Sequence, residues 1–379
     1  MKILAIETSC DETAFSLVEA TGEISSPSFN VLNTSLFSQI DIHKEYGGVF
    51  PALAKREHAK NAVPLLKEVL GKEVKTGFTE ITPEKEELIK QILEREINLF
   101  EKLQNFLKEN PKPDLDMLAV TYGPGLEPAL WVGINFARAL SVAWDIPLLP
   151  VNHMEGHLTS VLLEEKVAQL PAISLLISGG HTELIHIEDW GKYKVIGKTK
   201  DDAVGEAYDK VARMLDIPYP GGPEISRLAK EARDENLTDN EISFPRPMIN
   251  TKDLDFSFSG LKTAILYTVQ KIKDITDLKK KNIAREFEQA VVDVLIKKTE
   301  RALNQSGSNT LIVGGGVIAN KYIRENLSKL AQNVYFPTQS LSTDNATMIA
   351  IAGYIKQFEY EPIINPGIKA LGNASIESR

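Results

Sequence analysis

The chain has 379 residues, of which 43% are hydrophobic and 25% charged, with a formal net charge of −9. That is material for two or three packed domains. The acidic balance excludes the broad basic surface that phosphate neutralisation needs, so a nucleic-acid substrate would have to meet a local patch or a partner. No run of about 18 apolar residues occurs, and the apolar start at residues 2–6 passes at once into Glu7-Thr8-Ser9, so neither a signal peptide nor a membrane partner is expected and the protein is expected to be cytoplasmic. The single cysteine, Cys10, rules out an internal disulfide or a thiolate cluster and leaves histidine and carboxylate as metal donors.

Residues 2–6 predict a strand, 7–13 a polar turn and 14–18 a second strand. Residues 72–112 are dense in charge between the breakers Gly71 and Pro111. Their apolar residues Ile89, Ile92, Leu93, Phe100, Leu103 and Leu107 predict a solvated amphipathic helical insertion at the surface. A strand at 117–120 then runs through Tyr122-Gly123-Pro124-Gly125-Leu126 into a helix of small residues around 133–143, the place where a phosphate-binding turn would sit. A similar pattern returns at Ala172–Ile177, with the turn Ser178-Gly179-Gly180-His181-Thr182 and a strand at 183–187 that should pair back. It returns again at 310–313, through Gly314-Gly315-Gly316 into a helix over 320–330. Three glycine turns at strand ends fit backbone amides facing an anion, or simple close packing. The repetition predicts a duplicated α/β fold holding nucleotide or phosphate between its halves, with a boundary near 147–170: residues 1–150 as a first lobe and 151–379 as a second.

His153 and His157 in Val-Asn-His-Met-Glu-Gly-His-Leu are four apart, so on a helix both imidazoles leave one face and can grip one metal ion. A zinc protease needs its base directly after the first histidine. Here Met154 fills that place, and Glu155 is turned by about 200°, beyond reach of a metal-bound water. Asp344, in Ser342-Thr343-Asp344-Asn345, is either a helix cap or the carboxylate that completes a two-histidine site with open positions for substrate oxygen. The acidic run at 201–210, which includes Asp209, reads as a solvated face unless a ligand claims it.

Taken together, Ile6-Glu7-Thr8-Ser9-Cys10-Asp11-Glu12-Thr13, Tyr46-Gly47-Gly48-Val49-Phe50-Pro51, His153-Met154-Glu155-Gly156-His157, Ser178-Gly179-Gly180-His181-Thr182, Asp255-Phe256-Ser257-Phe258-Ser259-Gly260-Leu261-Lys262-Thr263 and Thr343-Asp344-Asn345 resemble the tRNA adenosine threonylcarbamoyltransferase family, TsaD, and its bacterial branch in particular. The resemblance implies an actin-like, Hsp70-like and sugar-kinase-like fold of two related lobes. It implies transfer of a threonylcarbamoyl group from threonylcarbamoyl-adenylate to the exocyclic amine of adenosine 37 in tRNAs reading codons that start with A, with release of AMP. It further implies one Fe2+ or Zn2+ per subunit on His153, His157 and Asp344, and substrate contacts from Leu176, Ile177, Ser178, Gly179, Gly180, Asp209, Gly222 and Asn320. The partners implied are tRNA and the proteins TsaB and TsaE. The insertion at 72–112 is longer than the family leads one to expect.

Because the mixed anhydride is already activated, no covalent enzyme intermediate is needed, and Cys10 reads as a strand-end residue rather than a nucleophile. Asp11 and Glu12, on the first turn, are the candidates for proton handling at the attacking amine. The competing reading is an ATP-hydrolysing regulator of the same fold holding magnesium. Imidazole ligands weigh against it, since magnesium prefers oxygen donors.

Overall fold

The structure, a computed structural model, describes residues 1–71, 77–164, 168–237, 239 and 242–377. Backbone contacts divide the chain into two compact units, Met1–Ala168 with Asp344–Arg379, and Gln169–Thr343.

The first unit is built on β1 (Lys2–Glu7), β2 (Glu12–Glu23), β3 (Ser26–Ser38), β4 (Met117–Gly123) and β5 (Leu148–Asn152), in the order β3-β2-β1-β4-β5. The first three form an antiparallel meander, and β4 and β5 continue it in parallel. Side chains alternate across β1 because successive Cβ atoms point to opposite faces. Leu4 and Ile6 join the core beneath α2 (Pro51–Leu70), α3 (Pro83–Ile92), α4 (Ile97–Glu109) and α5 (Glu127–Trp144), while Ile3 and Ala5 face the other way. Ahead of these helices comes the short α1 (Ile40–Lys44), and α6 (His153–Thr159) follows β5.

Residues 72–76 of the insertion lie outside the described residues; from residue 83 to 109 it is mainly helical as expected, but it is not a surface addition. Ile89, Ile92, Leu93, Leu99, Leu103, Phe106 and Leu107 are all buried in the same core as Leu66 of α2 and Trp144 of α5. The charges of α3 and α4 cover only their outer faces, so the charge density concealed a fully used apolar stripe.

In the second unit β6 (Ala172–Ile177), β7 (Thr182–Asp189), β8 (Lys192–Lys198), β9 (Thr310–Gly314) and β10 (Asn333–Tyr335) lie in the order β10-β9-β6-β7-β8. The predicted hairpin holds, with Ala172 opposite Ile187 and Ile177 opposite Thr182. Read from the other edge, this order repeats that of the first sheet, with β6 in the place of β1 and β9 in the place of β4. Each sheet has an antiparallel meander on one side and two parallel strands on the other. The helices of this unit are α7 (Val204–Met214), α8 (Gly221–Asp234), α9 (Ser259–Lys271), α10 (Asp277–Ser306), α11 (Lys321–Leu327) and α12 (Gln339–Ser342).

The chain then returns to the first unit as α13 (Ala346–Lys356), whose Met348, Ile349 and Ala350 pack with Ile3, Ala5 and Val18 on the open face of the first sheet. For this reason residues 151–164 and 344–377 sit with the first sheet, and the division differs from the expected lobes 1–150 and 151–379.

Candidate metal centre

Helix α6 begins where the side chain of Asn152 accepts a hydrogen bond from the Met154 amide at 2.9 Å. Its His153 and His157 stack edge to face with centroids 4.8 Å apart. A Cβ on Gly156 would stand 3.0 Å from Met348 and 3.1 Å from Ile349, so glycine here lets α6 lie close against α13. That approach delivers Asp344, which precedes α13, to the histidine pair. The cap of α13 is Asn345, whose side chain accepts from the Met348 amide at 2.9 Å, and this leaves Asp344 uncommitted to capping.

Asp344 Oδ1 lies 3.3 Å from His153 Nε2 and 3.2 Å from His157 Nε2. One donor atom from each of the three residues falls within 4.8 Å of the others. Two ligands held at metal-bond lengths of about 2.0–2.1 Å in a tetrahedron are about 3.3 Å apart, so the spacing suits a transition metal of zinc-like geometry. His157 is fully buried and neither of its ring nitrogens has a hydrogen-bond partner among the described residues, even though Nε2 is near Asp344. A buried imidazole facing a carboxylate without hydrogen-bond geometry is what a metal ligand looks like when considered alone.

Sequence reasoning missed the support behind His153. Glu7, fully buried at the end of β1, accepts at Oε2 from His153 Nδ1 at 3.1 Å and from Thr121 Oγ1 at 2.5 Å, and at Oε1 from the Ser9 amide at 2.5 Å. Ser9 Oγ is also 3.2 Å from His153 Nδ1. This carboxylate fixes the tautomer with the proton on Nδ1 and turns Nε2 toward the cluster, as outer partners of metal-bound histidines do. A lone carboxylate closing an apolar strand was the available signal. Burial opposes charge on both groups, yet Asp344 and Glu7 raise the His153 pKa well above its usual value and His153 lowers that of Glu7. Asp344 is held far below the ordinary carboxylate range against its own burial, chiefly by His153. Glu7→Gln should therefore lower metal affinity about 10–100-fold with little change in the fold, measurable by competition with a chelating dye.

On the turn after β1, burial pushes the Cys10 thiol well up, with help from Asp11 and Asp344, which suits a strand-end residue and not a nucleophile. Burial, together with Asp344 and Asp11, raises Glu12 to about 10. His58 of α2 donates from Nε2 to the Cys10 carbonyl at 3.0 Å and accepts from Thr13 at Nδ1 at 2.7 Å. Burial drops its imidazole to about 4 from 6.5. Since the unfolded imidazole binds its proton first, this group's contribution to stability is complete above pH 6.5 and is lost as pH falls toward 4, about 3 kcal/mol in all. Urea unfolding of wild type and His58→Gln at pH 7 and 4.5 should show a smaller acid loss in the variant.

Glu155, the residue a protease reading would need, is buried and interacts electrostatically with Tyr122 and Lys356, not as part of the cluster. The turn at 122–126 does not face an anion either. A Cβ on Gly123 would stand 2.0 Å from the Leu371 carbonyl oxygen, the Gly125 amide donates to Gly372, and the Leu126 amide donates to Ser9. Its amides are spent on the chain itself, so the close-packing alternative holds there.

The remaining predicted residues lie in the second unit. Leu176 and Ile177 are the buried end of β6. Gly179 and Gly180 are open, with nothing within 4 Å of an added Cβ, whereas one on Gly205 of α7 would meet Gly179 Cα at 2.8 Å. The Ser178 hydroxyl accepts from the His181 amide at 3.1 Å. One turn after Gly205, Asp209 accepts from the amides of Gly221 and Gly222 at 2.8 and 3.3 Å, and burial raises its pKa. Asn320 caps α11 through the Ile323 amide and donates to Ser226 at 2.7 Å and to buried Glu288 at 2.5 Å. Asp209, Gly222 and Asn320 are thus tied together around the start of α8, with the 178–180 turn at the start of α7. His181 lies on the β6–β7 turn and is no part of the metal cluster.

Two α/β units of one topology, the first bearing a His-His-carboxylate cluster, define an enzyme of the actin-like, Hsp70-like and sugar-kinase-like class with a candidate metal centre. A family model described as TsaD, tRNA N6-adenosine threonylcarbamoyltransferase, matches residues 30–83 and 87–351. A Paraburkholderia xenovorans (strain LB400) protein named tRNA N6-adenosine threonylcarbamoyltransferase is 41% identical over 362 residues, 94% of this chain and 92% of its own. The chain belongs to this family of transferases. The crystal structure of T. kodakarensis HypF is similar at a TM-score of 0.53 and 13% identity over 95% of the chain, which shows the shared fold. The chain spans about half of HypF, 48% of its length.

Proposed function

We propose that this protein transfers the threonylcarbamoyl group of threonylcarbamoyl-adenylate to the exocyclic amine of adenosine 37 in tRNAs reading codons that start with A, and that one Fe2+ or Zn2+ on His153, His157 and Asp344 assists. The observation that carries the reading is the cluster itself, two imidazoles and a carboxylate with a buried glutamate orienting the first imidazole. When bound, such an ion supplies Lewis-acid stabilisation of charge on substrate oxygens.

The chain's own residues do the rest. The open glycines at 179 and 180, with Asp209, Gly222 and Asn320, bind and orient the acyl donor. The amine nitrogen bonds to the carbamoyl carbon, the bond from that carbon to the phosphate oxygen breaks, and AMP leaves. The amine gives up a proton. Asp11 and Glu12, which follow β1, are the two carboxyls assigned to take it. TsaB and TsaE are the partners in this reading and the cytoplasm its compartment. No described helix is long and apolar enough to cross a membrane.

The test is incubation of the purified protein and its partners with unmodified tRNA and adenylate labelled in the threonine. Label in tRNA with matching AMP release supports the reading. ATP hydrolysis without label transfer would favour the regulator, which the two imidazole donors weigh against.

A further inference from the structure

Two acidic side chains among the described residues are 0% exposed, and both are glutamates. One is Glu7, which stands behind His153. The other is Glu288, on α10 in the second unit. A carboxylate so placed loses its hydration, and an apolar side chain of similar size would fill the core without that cost. Glu288 is met instead by donors from three other elements. Its Oε1 accepts from Tyr208 of α7 at 3.3 Å and from Asn320 Nδ2, at the start of α11, at 2.5 Å, and its Oε2 pairs with Arg233 of α8. Its neighbours on α10 brace the same groups. Phe287 packs edge to face on Tyr208 with centroids 4.8 Å apart, and Gln289 accepts from Tyr322, whose ring lies 3.5 Å from the Arg233 guanidinium.

Glu288 thereby fixes the side-chain amide of Asn320. Asn320 Oδ1 accepts from the Ile323 amide at 3.0 Å, so Nδ2 must face the other way, and its two protons are spent on Glu288 and on Ser226 Oγ at 2.7 Å. The Ser226 hydroxyl donates onward to the Gly222 carbonyl at 3.0 Å, and the Gly222 amide donates to Asp209 at 3.3 Å. A carboxylate beside an arginine only accepts, so the bonds from Glu288 to the Gly222 carbonyl have one permitted direction.

We propose that Glu288 is a positioning residue for the acyl donor, holding Asn320, and through Ser226 the turn at Gly222, in the arrangement that binds the adenylate without itself touching it. The proposal rests on the reading above, in which Asp209, Gly222 and Asn320 bind that donor. Glutamine at 288 cannot take over the role. It offers one oxygen and one NH2 to donors on two sides, so either Arg233 or Asn320 would face an N–H. A role in packing alone predicts a general loss of stability, whereas positioning predicts a selective loss at the donor site.

The experiment uses the full chain with its partners and compares wild type, Glu288→Gln and Lys298→Met. Lys298 is the control for packing: it is fully buried on the same helix, but its ammonium donates to Thr251 and Asp253, which are not among the donor-site residues. Binding of a sulfamoyl analogue of the adenylate, which cannot transfer its acyl group, is measured by calorimetry beside kcat, both KM values, metal content and Tm. Glu288→Gln should weaken analogue binding and raise KM for the adenylate about tenfold, the scale of one lost charge-assisted hydrogen bond. Its kcat, KM for tRNA and metal content should not change, since binding lost equally from ground and transition states leaves kcat alone. Lys298→Met should melt lower and bind the analogue normally. In an Asn320→Ala background the effect of Glu288→Gln should shrink to less than about twofold, because the residue it acts through is gone. If Glu288→Gln is insoluble, Glu288→Asp, which keeps the charge but draws it back by one carbon, is measured in its place and should raise KM for the adenylate by about threefold or more. Unchanged analogue affinity in the soluble Glu288 variant would overturn the proposal, as would an equal loss in Lys298→Met or an undiminished effect in the Asn320→Ala background. Wild type that does not bind the analogue would overturn the donor site and the proposal with it. Analogue binding is read without turnover, so a failure of the transferase reading would be visible separately, as selective weakening in Glu288→Gln without label transfer in wild type.

Discussion

Alanine at His157 is expected to strip the bound transition metal and to reduce threonylcarbamoyl transfer by at least about a thousandfold, the scale of several kcal/mol of lost charge stabilisation. The cluster has three donors, and two cannot hold a divalent ion against chelation by buffer components. The fold should survive. His157 is completely buried and its polar neighbour is Asp344, which keeps His153 at 3.3 Å as a partner when His157 is removed. Elemental analysis beside a thermal melt checks both halves of this expectation. Full metal content in His157→Ala would place the ion elsewhere. Asp344→Asn should behave more mildly on metal, since the amide oxygen still ligates, though it does so without charge.

Truncation of Phe106 to alanine should destabilise the first unit by about 3–5 kcal/mol, and joining residue 70 directly to residue 114 should give insoluble protein. Phe106 is 1% exposed and packs edge to face on Trp144 with centroids 6.5 Å apart, while Leu103 beside it is fully buried. Denaturant unfolding of Phe106→Ala and a solubility assay of the deletion decide the matter. A soluble, metal-binding deletion would show that the core closes without α3 and α4.

The strand-and-turn pattern at residues 2–18, 172–187 and 310–316 was legible because buried central strands are written as short apolar runs ended by polar or glycine turns. The histidine pair was legible because helical spacing alone puts two rings on one face. By contrast, β3 was not visible, since a long edge strand such as Ser26–Ser38 is half solvated and carries Pro27, Asn30 and Asn33 among its apolar residues. The insertion was misread for a related reason. Leu99, Leu103, Phe106 and Leu107 are spaced as a helix stripe, but spacing says which face is apolar and not what covers it. Glu7 escaped because a charged residue at a strand end normally meets solvent, and only the return of α6 and α13 to the first sheet buries it against His153. The glycines at 123 and 125 show the converse. Their sequence setting matches a phosphate turn, yet Leu371 and Ala374 fill the space beside Gly123 and Ser9 fills that beside Gly125.

Acylation of the adenosine amine of tRNA by this chain is tested most directly by nucleoside mass spectrometry of tRNA from cells depleted of the protein. Depletion should cause loss of threonylcarbamoyladenosine with accumulation of unmodified adenosine at position 37, restored by wild type and not by His157→Ala. Unchanged threonylcarbamoyladenosine after depletion, or restoration by His157→Ala, would contradict it.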